Sequence, residues 1–317
     1  MKGITDIPGI QVGHATDLEG RTGVTVVLCE KGAVAGFDIG GSATGSSELD
    51  VMNPLHITSS IHAVTMAGGS AFGLEAACGV RRFLEQHGVG FPYGGSRIPI
   101  VPGMILFDLG FAKPGVRPTR EMGETAAAAA TDEAVVEGCV GAGTGATVGK
   151  LFGLARAMKG GIGSYTVPCG KAKVSAIVAV NAFGDVRDPA SGKLLAGCRK
   201  SEKSRDLLDT EKALLAGARR ENAVAPANTT LCVVATDAKL SKVGATRLAK
   251  RGQAGVLRAL SPGHATVDGD VVIAMSCGEI VEDTDALGVA AAEAVGQSIV
   301  RAVKAARTMS GVPGLAR

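Results

Sequence analysis

One segment places a hydroxyl residue at the start of an apolar strand. Residues 225–238 read APANTTLCVVATDA, so a polar stretch leads into an apolar one with Thr229 at the junction. A hydroxyl in this position can attack the carbonyl of Asn228 in an N→O acyl shift, and water can then split the ester. The freed α-amine of Thr229, with a reference pKa of about 7.7–8.0, would be the base for its own hydroxyl. From residue types alone, Asn-Thr before a strand more often marks a turn.

A glycine-rich loop follows residue 137 and suggests a phosphate site. It reads GCVGAGTGATVGK and ends at Lys150. A P-loop also needs a glycine where Thr144 stands and a hydroxyl residue where Leu151 stands, and the GxGxxG pattern lacks its last glycine. The loop therefore serves either backbone packing or a site lined by its N–H groups, because glycine lets a chain approach a ligand closely.

The histidines and cysteines show no metal-binding spacing. There is no HExxH motif, and His56 and His62 lie six residues apart, which suits neither a helix face nor a strand. Ser70, in GGSAFG, is the nearest approach to a GxSxG nucleophile elbow, and helix capping explains it as well. Seven cysteines stand singly without a CxxC pair, so we expect reduced thiols, no disulfide framework and no metal or organic cofactor.

The composition is that of a globular protein with small side chains. The chain has 317 residues, 46% apolar and 20% charged, with 46 glycines and 3% aromatics. Its net charge of +3 is scattered, without the basic stripe of a nucleic-acid binder. No apolar run approaches the roughly 18 residues that cross a membrane. The first residues lack a signal-peptide core, so we expect a cytoplasmic protein without membrane or nucleic-acid partners.

Apolar patterns predict alternating strands and helices, hence a layered α/β fold whose topology stays open. The predicted strands are 23–29, 63–67, 98–109, 163–167, 173–181, 229–235 and 270–276. The predicted helices are 70–88, 121–137, 207–219, 239–260 and 284–308. Residues 221–227 are predicted to form an exposed connector in front of Thr229.

Ordered motifs along almost the whole chain resemble the DmpA-like family, that is, the L-aminopeptidase/D-esterase and β-aminopeptidase family. The junction NTTLCVVATDAKL is similar to the family's self-cleavage site, and GGSAFGLEAACGVRRFLE to its helix entry. Other similar segments are IPGIQVGHATDLEGRTGVTVV, IPIVPGMILFDL, GAGTGATVGKLFG, KGGIGS, VAVNAFGDV and VDGDVVIAMSCG. The chain departs from the family at residues 45–49, which read GSSEL where an Arg-Glu-Thr is common, so no role is transferred to that loop.

The resemblance implies a fold and a processing event. The fold would be a four-layer αββα sandwich, similar to N-terminal-nucleophile hydrolases in layering but not in strand connectivity. Residues 1–317 would form one domain. This precursor would cut itself between Asn228 and Thr229 into a large chain, 1–228, and a small chain, 229–317, which stay associated. The family's known oligomers imply a homotetramer.

The resemblance also implies site residues. Thr229 would be the nucleophile, while the neighbouring Thr230 would point to the other face of the sheet. Asn181 matches the family asparagine whose side-chain N–H₂ helps to hold the oxyanion. The family's β-aminopeptidases place a hydroxyl and a carboxylate, two residues apart, beside the nucleophile, and Thr266 and Asp268 have this spacing.

These features predict a hydrolase that releases N-terminal residues from small peptides, amides or esters with a free amine, through an acyl-enzyme. A carboxylate should bind the substrate ammonium, but the sequence does not identify it. Two alternatives stay open. One is an acyltransferase resembling ornithine acetyltransferase, although its junction usually reads Ala-Thr and then Met-Leu. The other is a non-catalytic α/β protein that binds a small molecule.

Overall fold

The computed structural model describes residues 2–220 and 228–317, so the predicted connector 221–227 lies outside the described residues. The strands are β1 Gln11–Asp17, β2 Thr22–Ile39, β3 Gly45–Ser47, β4 Ile61–Ala67, β5 Phe91–Tyr93, β6 Ser96–Ile98, β7 Gly103–Ile105, β8 Thr147–Val148, β9 Met158–Lys159, β10 Ile162–Cys169, β11 Ala172–Asn181, β12 Asp185–Arg187, β13 Leu194–Ala196, β14 Thr229–Ala238, β15 Leu260–Ser261 and β16 Val271–Ile280. The α-helices are α1 Ala76–Gln86, α2 Arg120–Ala128, α3 Thr210–Leu215, α4 Lys242–Ala259 and α5 Thr284–Ala305.

One long strand, β2, joins two halves of a nine-stranded sheet. The strand order is β10-β11-β14-β16-β2-β4-β7-β3, with β1 paired to β2. The first part of β2 pairs with β1 and β4, and its last part pairs with β16. The pairing register with β4 shifts between Leu28 and Ala33, where Gly32 adopts a φ of 83° that favours glycine.

Three buried apolar clusters separate four layers. The first lies between α4, α5 and the β10–β11–β14–β16 half, and includes Val234, Val272 and Ile299. The second lies between the two halves of the sheet and includes Val64, Val233 and Ile273. The third lies between β2, β4 and the helices α1 and α2, and includes Val26, Val80 and Ala126. The layers therefore run helix, sheet, sheet, helix, and the predicted αββα sandwich is confirmed.

Most predicted strands are found, but the predicted strand 98–109 is reduced to little more than β7, and two helices are shorter than expected. The predicted helix 207–219 is only the six-residue α3. The alanine-rich segment 121–137 is predicted to be helical throughout, but α2 ends at Ala128. Thr131 then exchanges backbone hydrogen bonds with Val12 of β1, and Val135 N–H donates to the carbonyl of Lys2. Tertiary strand pairing overrides the helix propensity of alanine in this segment.

Helix α5 is the one described helix long and apolar enough to span a membrane by length and composition. Of its most apolar stretch, 72% is buried inside the protein. It packs on β10 and β11, and every residue from Ala290 to Ala292 is buried. A core helix of a layered α/β protein has these properties, so the composition of α5 follows from its place in the fold.

Candidate active site

Three segments of the chain meet at one edge of the sheet. Strand β11 ends at Asn181, which is the antiparallel register partner of Thr229, the first residue of β14. Strand β16 runs parallel to β14, with Val271 beside Leu231. Parallel strands begin at the same edge, so the residues just before β16 lie beside the start of β14. Asn228 and Asp268 accordingly form an isolated parallel bridge.

The carbonyl oxygen of the peptide bond before Thr229 accepts two hydrogen bonds. The Thr229 side chain is buried, and its Oγ1 donates a hydrogen bond to the carbonyl oxygen of Asn228. The N–H of Gly269 donates to that same oxygen at 3.1 Å. A Cβ on Gly269 would lie 2.8 Å from Thr229 Oγ1, so only glycine lets this N–H approach so closely. A hydroxyl and an N–H donor therefore converge on one carbonyl group.

The amide of Asn181 is fixed by partners on both of its ends. Its Oδ1 accepts from the N–H of Thr147 at 3.0 Å and from Lys150 Nζ at 2.8 Å. Its Nδ2 donates to the carbonyl of Phe107 at 3.0 Å. These contacts assign the oxygen to the glycine-rich loop and the N–H₂ to the opposite side. One N–H of that loop, that of Thr147, therefore holds a predicted site residue, and a site lined by several loop N–H groups stays a prediction.

Two carboxylates before β16 occupy the other side of Thr229. Asp268 Oδ1 accepts from the N–H of Phe183 at 3.0 Å, and within the described residues its buried Oδ2 has no hydrogen-bond partner. Asp270 Oδ1 accepts from the N–H of Thr230 at 2.7 Å, and its Oδ2 accepts from His264 Nδ1 at 2.9 Å. Asp270 is thus held firmly, whereas Asp268 presents an oxygen without a hydrogen-bond donor.

Burial shifts the proton affinities of the charged groups here. It lowers the pKa of the Lys150 ammonium to about 7, although the charges of Asp268, Asp108 and Asp270 oppose this. Burial and the negative charge of Asp270 raise the pKa of Asp268 to about 8, although Lys150 opposes this. Both groups are driven toward their neutral forms, so proton transfer to or from either is possible near neutral pH.

The structure brings together Asn228, Thr229, Asn181 and Asp268 among the residues predicted from sequence. Thr266 is placed differently, because its side chain is exposed and borders a cavity of about 250 Å³ with Phe183, Val267 and Arg220. Its predicted role stays a prediction.

Sequence reasoning missed two residues of the site. Asp270 stands two residues after Asp268, just as Asp268 stands two residues after Thr266. The two-residue spacing used for Thr266 and Asp268 therefore also fits Asp268 and Asp270 in the DGD segment. The sequence suggests Lys150 only as a P-loop lysine, yet its Nζ donates to both the backbone and side-chain oxygens of Asn181. A lysine closing a glycine-rich loop was the available signal. Among the described residues, no cluster of histidine, cysteine and carboxylate side chains could hold a metal ion.

Comparisons with known proteins identify the family of the chain. A model of Peptidase family S58 matches residues 2–317. The chain is 38% identical to an uncharacterized aminopeptidase of Mycobacterium leprae, over 99% of this chain and 93% of that protein. It is 28% identical to a 6-aminohexanoate-oligomer endohydrolase of Kocuria, over 94% and 85% respectively.

The fold has solved counterparts. The L-aminopeptidase D-Ala-esterase/amidase of Ochrobactrum anthropi superposes with a TM-score of 0.72, covering 98% of this chain and 88% of that one at 21% identity. That structure is described as a variant of the Ntn-hydrolase fold. The family match runs through both sides of the Asn228–Thr229 bond and through every segment that builds the site. The chain therefore belongs to peptidase family S58, the DmpA-like family, and is a hydrolase of the aminopeptidase and amidase type.

Proposed function

We propose that the chain cuts itself between Asn228 and Thr229 and then acts as an N-terminal-threonine aminopeptidase or amidase. Its substrates would be small peptides, amides or esters with a free amine. The observation that carries the proposal is the carbonyl oxygen of Asn228, which accepts from both Thr229 Oγ1 and the N–H of Gly269. An attacking hydroxyl and an oxyanion donor are the two parts that acyl transfer needs at one carbonyl.

Self-cleavage would proceed through an ester. Thr229 Oγ1 loses its proton to a nearby base and bonds to the carbonyl carbon of Asn228, whose oxygen becomes an anion held by Gly269 N–H. The C–N bond breaks as the threonine nitrogen takes up a proton. Water then hydrolyses the ester, leaving a carboxylate on Asn228 and a free amine on Thr229. Neutral Lys150 takes the proton of Thr229 Oγ1 and protonated Asp268 gives one to the threonine nitrogen, because burial brings the pKa values of both toward neutral pH.

Turnover would reuse the same parts. Thr229 Oγ1 attacks the substrate's acyl carbon, the α-amine of Thr229 takes the proton, and the leaving amine departs with it. The side-chain N–H₂ of Asn181 and the N–H of Gly269 hold the oxyanion. Water resolves the acyl-enzyme. Thr266 would join the proton transfer only if the turn that carries it moved toward Thr229.

The two chains would stay together after cleavage. Strands β14 and β16 belong to the small chain, and they lie in the sheet between β11 and β2 of the large chain. Helices α4 and α5 add a buried apolar face across the same division. A homotetramer of such chain pairs is part of the proposal, and sedimentation at micromolar concentration would show a single pair if it is wrong.

A second candidate is an endohydrolase, favoured by the similarity to the Kocuria enzyme. An endohydrolase needs no carboxylate for a substrate ammonium. At this site Asp270 is occupied by the N–H of Thr230 and by His264, and Asp268 is nearly fully buried. Substrates with and without a free amine therefore separate the two candidates.

The test uses purified protein and a pair of matched variants. Wild type, Thr229→Ala and Thr230→Ala are assayed with aminoacyl p-nitroanilides, with their N-acetylated forms, and for acetyl transfer to ornithine. Wild type and Thr230→Ala should hydrolyse the free-amine substrates, whereas Thr229→Ala should be inactive. Equal hydrolysis of the acetylated forms would identify an endohydrolase, and transfer without hydrolysis an acyltransferase. Full activity of Thr229→Ala would refute the proposal.

A further inference from the structure

A second lysine lies buried behind the glycine-rich loop. Lys159, the last residue of β9, is completely buried and is the largest such side chain among the described residues. Its Nζ donates to the carbonyl of Thr144 at 2.8 Å and to that of Ala146 at 2.7 Å. It also lies over the ring of Phe111, 4.4 Å from the centroid. The ammonium is thus surrounded by two loop carbonyls and an aromatic face.

One of these carbonyls belongs to a peptide group that contacts the site. The carbonyl of Ala146 and the N–H of Thr147 are two ends of the same planar peptide unit. Lys159 Nζ donates to the oxygen of this peptide unit. The N–H of the same unit, that of Thr147, donates to Asn181 Oδ1 at 3.0 Å. A cation on the carbonyl polarises the peptide and strengthens the hydrogen bond that its N–H donates.

We propose that Lys159 is a positioning residue for the oxyanion donor Asn181, acting through the Ala146–Thr147 peptide without touching the substrate. The inference rests on the proposed function. With the Asn181 oxygen held by this peptide, its N–H₂ is kept on the opposite side, where one N–H donates to the carbonyl of Phe107 and the second is the one assigned to the oxyanion. Hydrogen-bond donors of this kind accelerate acyl transfer only while they are aimed at the developing charge.

A purely structural lysine would behave differently from a positioning one. If Lys159 acts through Asn181, its removal should matter only while Asn181 is present, and the two effects should not add. If it only supports the fold, its removal should lower the activity of both backgrounds by the same factor. A double-mutant cycle therefore separates the two roles.

The cycle compares wild type, Lys159→Met, Asn181→Ala and the double variant as processed enzymes with an aminoacyl p-nitroanilide. The control for removal of a charge is Lys203→Met, which changes an exposed lysine. We expect Asn181→Ala to lower kcat about 100-fold or more. Lys159→Met should lower kcat about tenfold with KM nearly unchanged, and the double variant should be within about twofold of Asn181→Ala. The control should match wild type.

Each other outcome has a defined meaning. An additional tenfold loss in the double variant would overturn the inference, as would a wild-type kcat for Lys159→Met. If Lys159→Met does not fold, Lys159→Gln, which keeps a donor without the charge, enters the same cycle. If neither variant folds where Lys203→Met does, the ammonium serves the fold and the inference is refuted. If none of these variants loses activity and Thr229→Ala is also active, the proposed function itself is wrong.

Discussion

The two ends of strand β14 each lie near one lysine and one carboxylate, in different surroundings. Near its first residue, Asp268 is buried and Lys150 is half-buried, and the pKa of each is shifted toward the neutral form. Beyond its last residue, Lys239 and Glu279 form an ion pair of 2.6 Å between side chains that are 63% and 80% exposed. The two ends therefore differ chiefly in how far their charged groups are removed from water.

This difference identifies the end where chemistry is possible. An exposed pair is solvated and screened, so it contributes little to stability and has no reason to shift toward a neutral form. A buried carboxylate without a hydrogen-bond donor on one oxygen is costly for folding. Such an arrangement is favoured where a proton must be moved, which is the role proposed for Asp268 beside the Asn228–Thr229 bond.

Among changes to the charged groups, the largest effect should come from Asp268→Asn. It replaces the carboxylate beside Asn228 with a group that cannot exchange a proton, so self-cleavage should slow by about 10²–10³-fold. Cleavage half-times are measured by intact mass on precursor made by cell-free translation. The matched control is Asp237→Asn at the other end of β14, where Asp237 accepts from the N–H of Lys173. Cleavage of Asp268→Asn at the control's rate would remove Asp268 from the mechanism.

A pH dependence should follow from the lowered pKa of Lys150. A lysine accepts a proton only when neutral, so the self-cleavage rate should increase about tenfold per pH unit below pH 7. A carboxyl gives up a proton only when protonated, so the rate should fall again above pH 8, where Asp268 ionises. In Asp268→Asn the residual rate should keep the rise toward pH 7 and lose the fall above pH 8. Rates measured between about pH 5 and 9 provide the check, and a fall that persists in this variant would contradict the role assigned to Asp268.

The smallest effect is expected from Glu279→Gln, which breaks the exposed pair with Lys239. Melting temperature, cleavage half-time and kcat should all stay within measurement error of wild type, because solvent replaces the lost contact. Thermal unfolding and the assays above are sufficient to test this. A clear loss of cleavage would mean that the exposed pair affects the site at the other end of β14. Burial would then not be what distinguishes the two ends.

The contrast also explains what the sequence could predict. Strands β11, β14 and β16 are continuous apolar runs, and the junction at Thr229 follows from one of them together with the family motifs. The register between strands cannot be seen in one sequence. The two-residue spacing fits Thr266 with Asp268 and also Asp268 with Asp270. Only the parallel pairing of β14 with β16 places the second pair beside Thr229 and leaves Thr266 on the surface.

The buried lysines were hidden for a related reason. Lysine is mostly exposed in folded proteins, so neither Lys150 nor Lys159 is recognisable as buried from its neighbours in sequence. Lys159 is buried and Lys150 half-buried because the glycine-rich loop folds back on the end of β11, a long-range contact made possible by small residues. Helices and strands can be predicted from the spacing of apolar residues, but long-range packing produces no such repeating pattern in the sequence.

The central claim is that Thr229 creates its own N-terminus, and the mass of the purified protein under denaturing conditions tests it most directly. Wild type should show two chains, the smaller of roughly 9 kDa out of 31.8 kDa, beginning Thr-Thr-Leu-Cys on N-terminal sequencing. Thr229→Ser should give the same pattern beginning with serine, and Thr229→Ala should stay a single intact chain. Cleavage of Thr229→Ala at this bond, or a wild-type chain that stays intact on long incubation, would contradict the account.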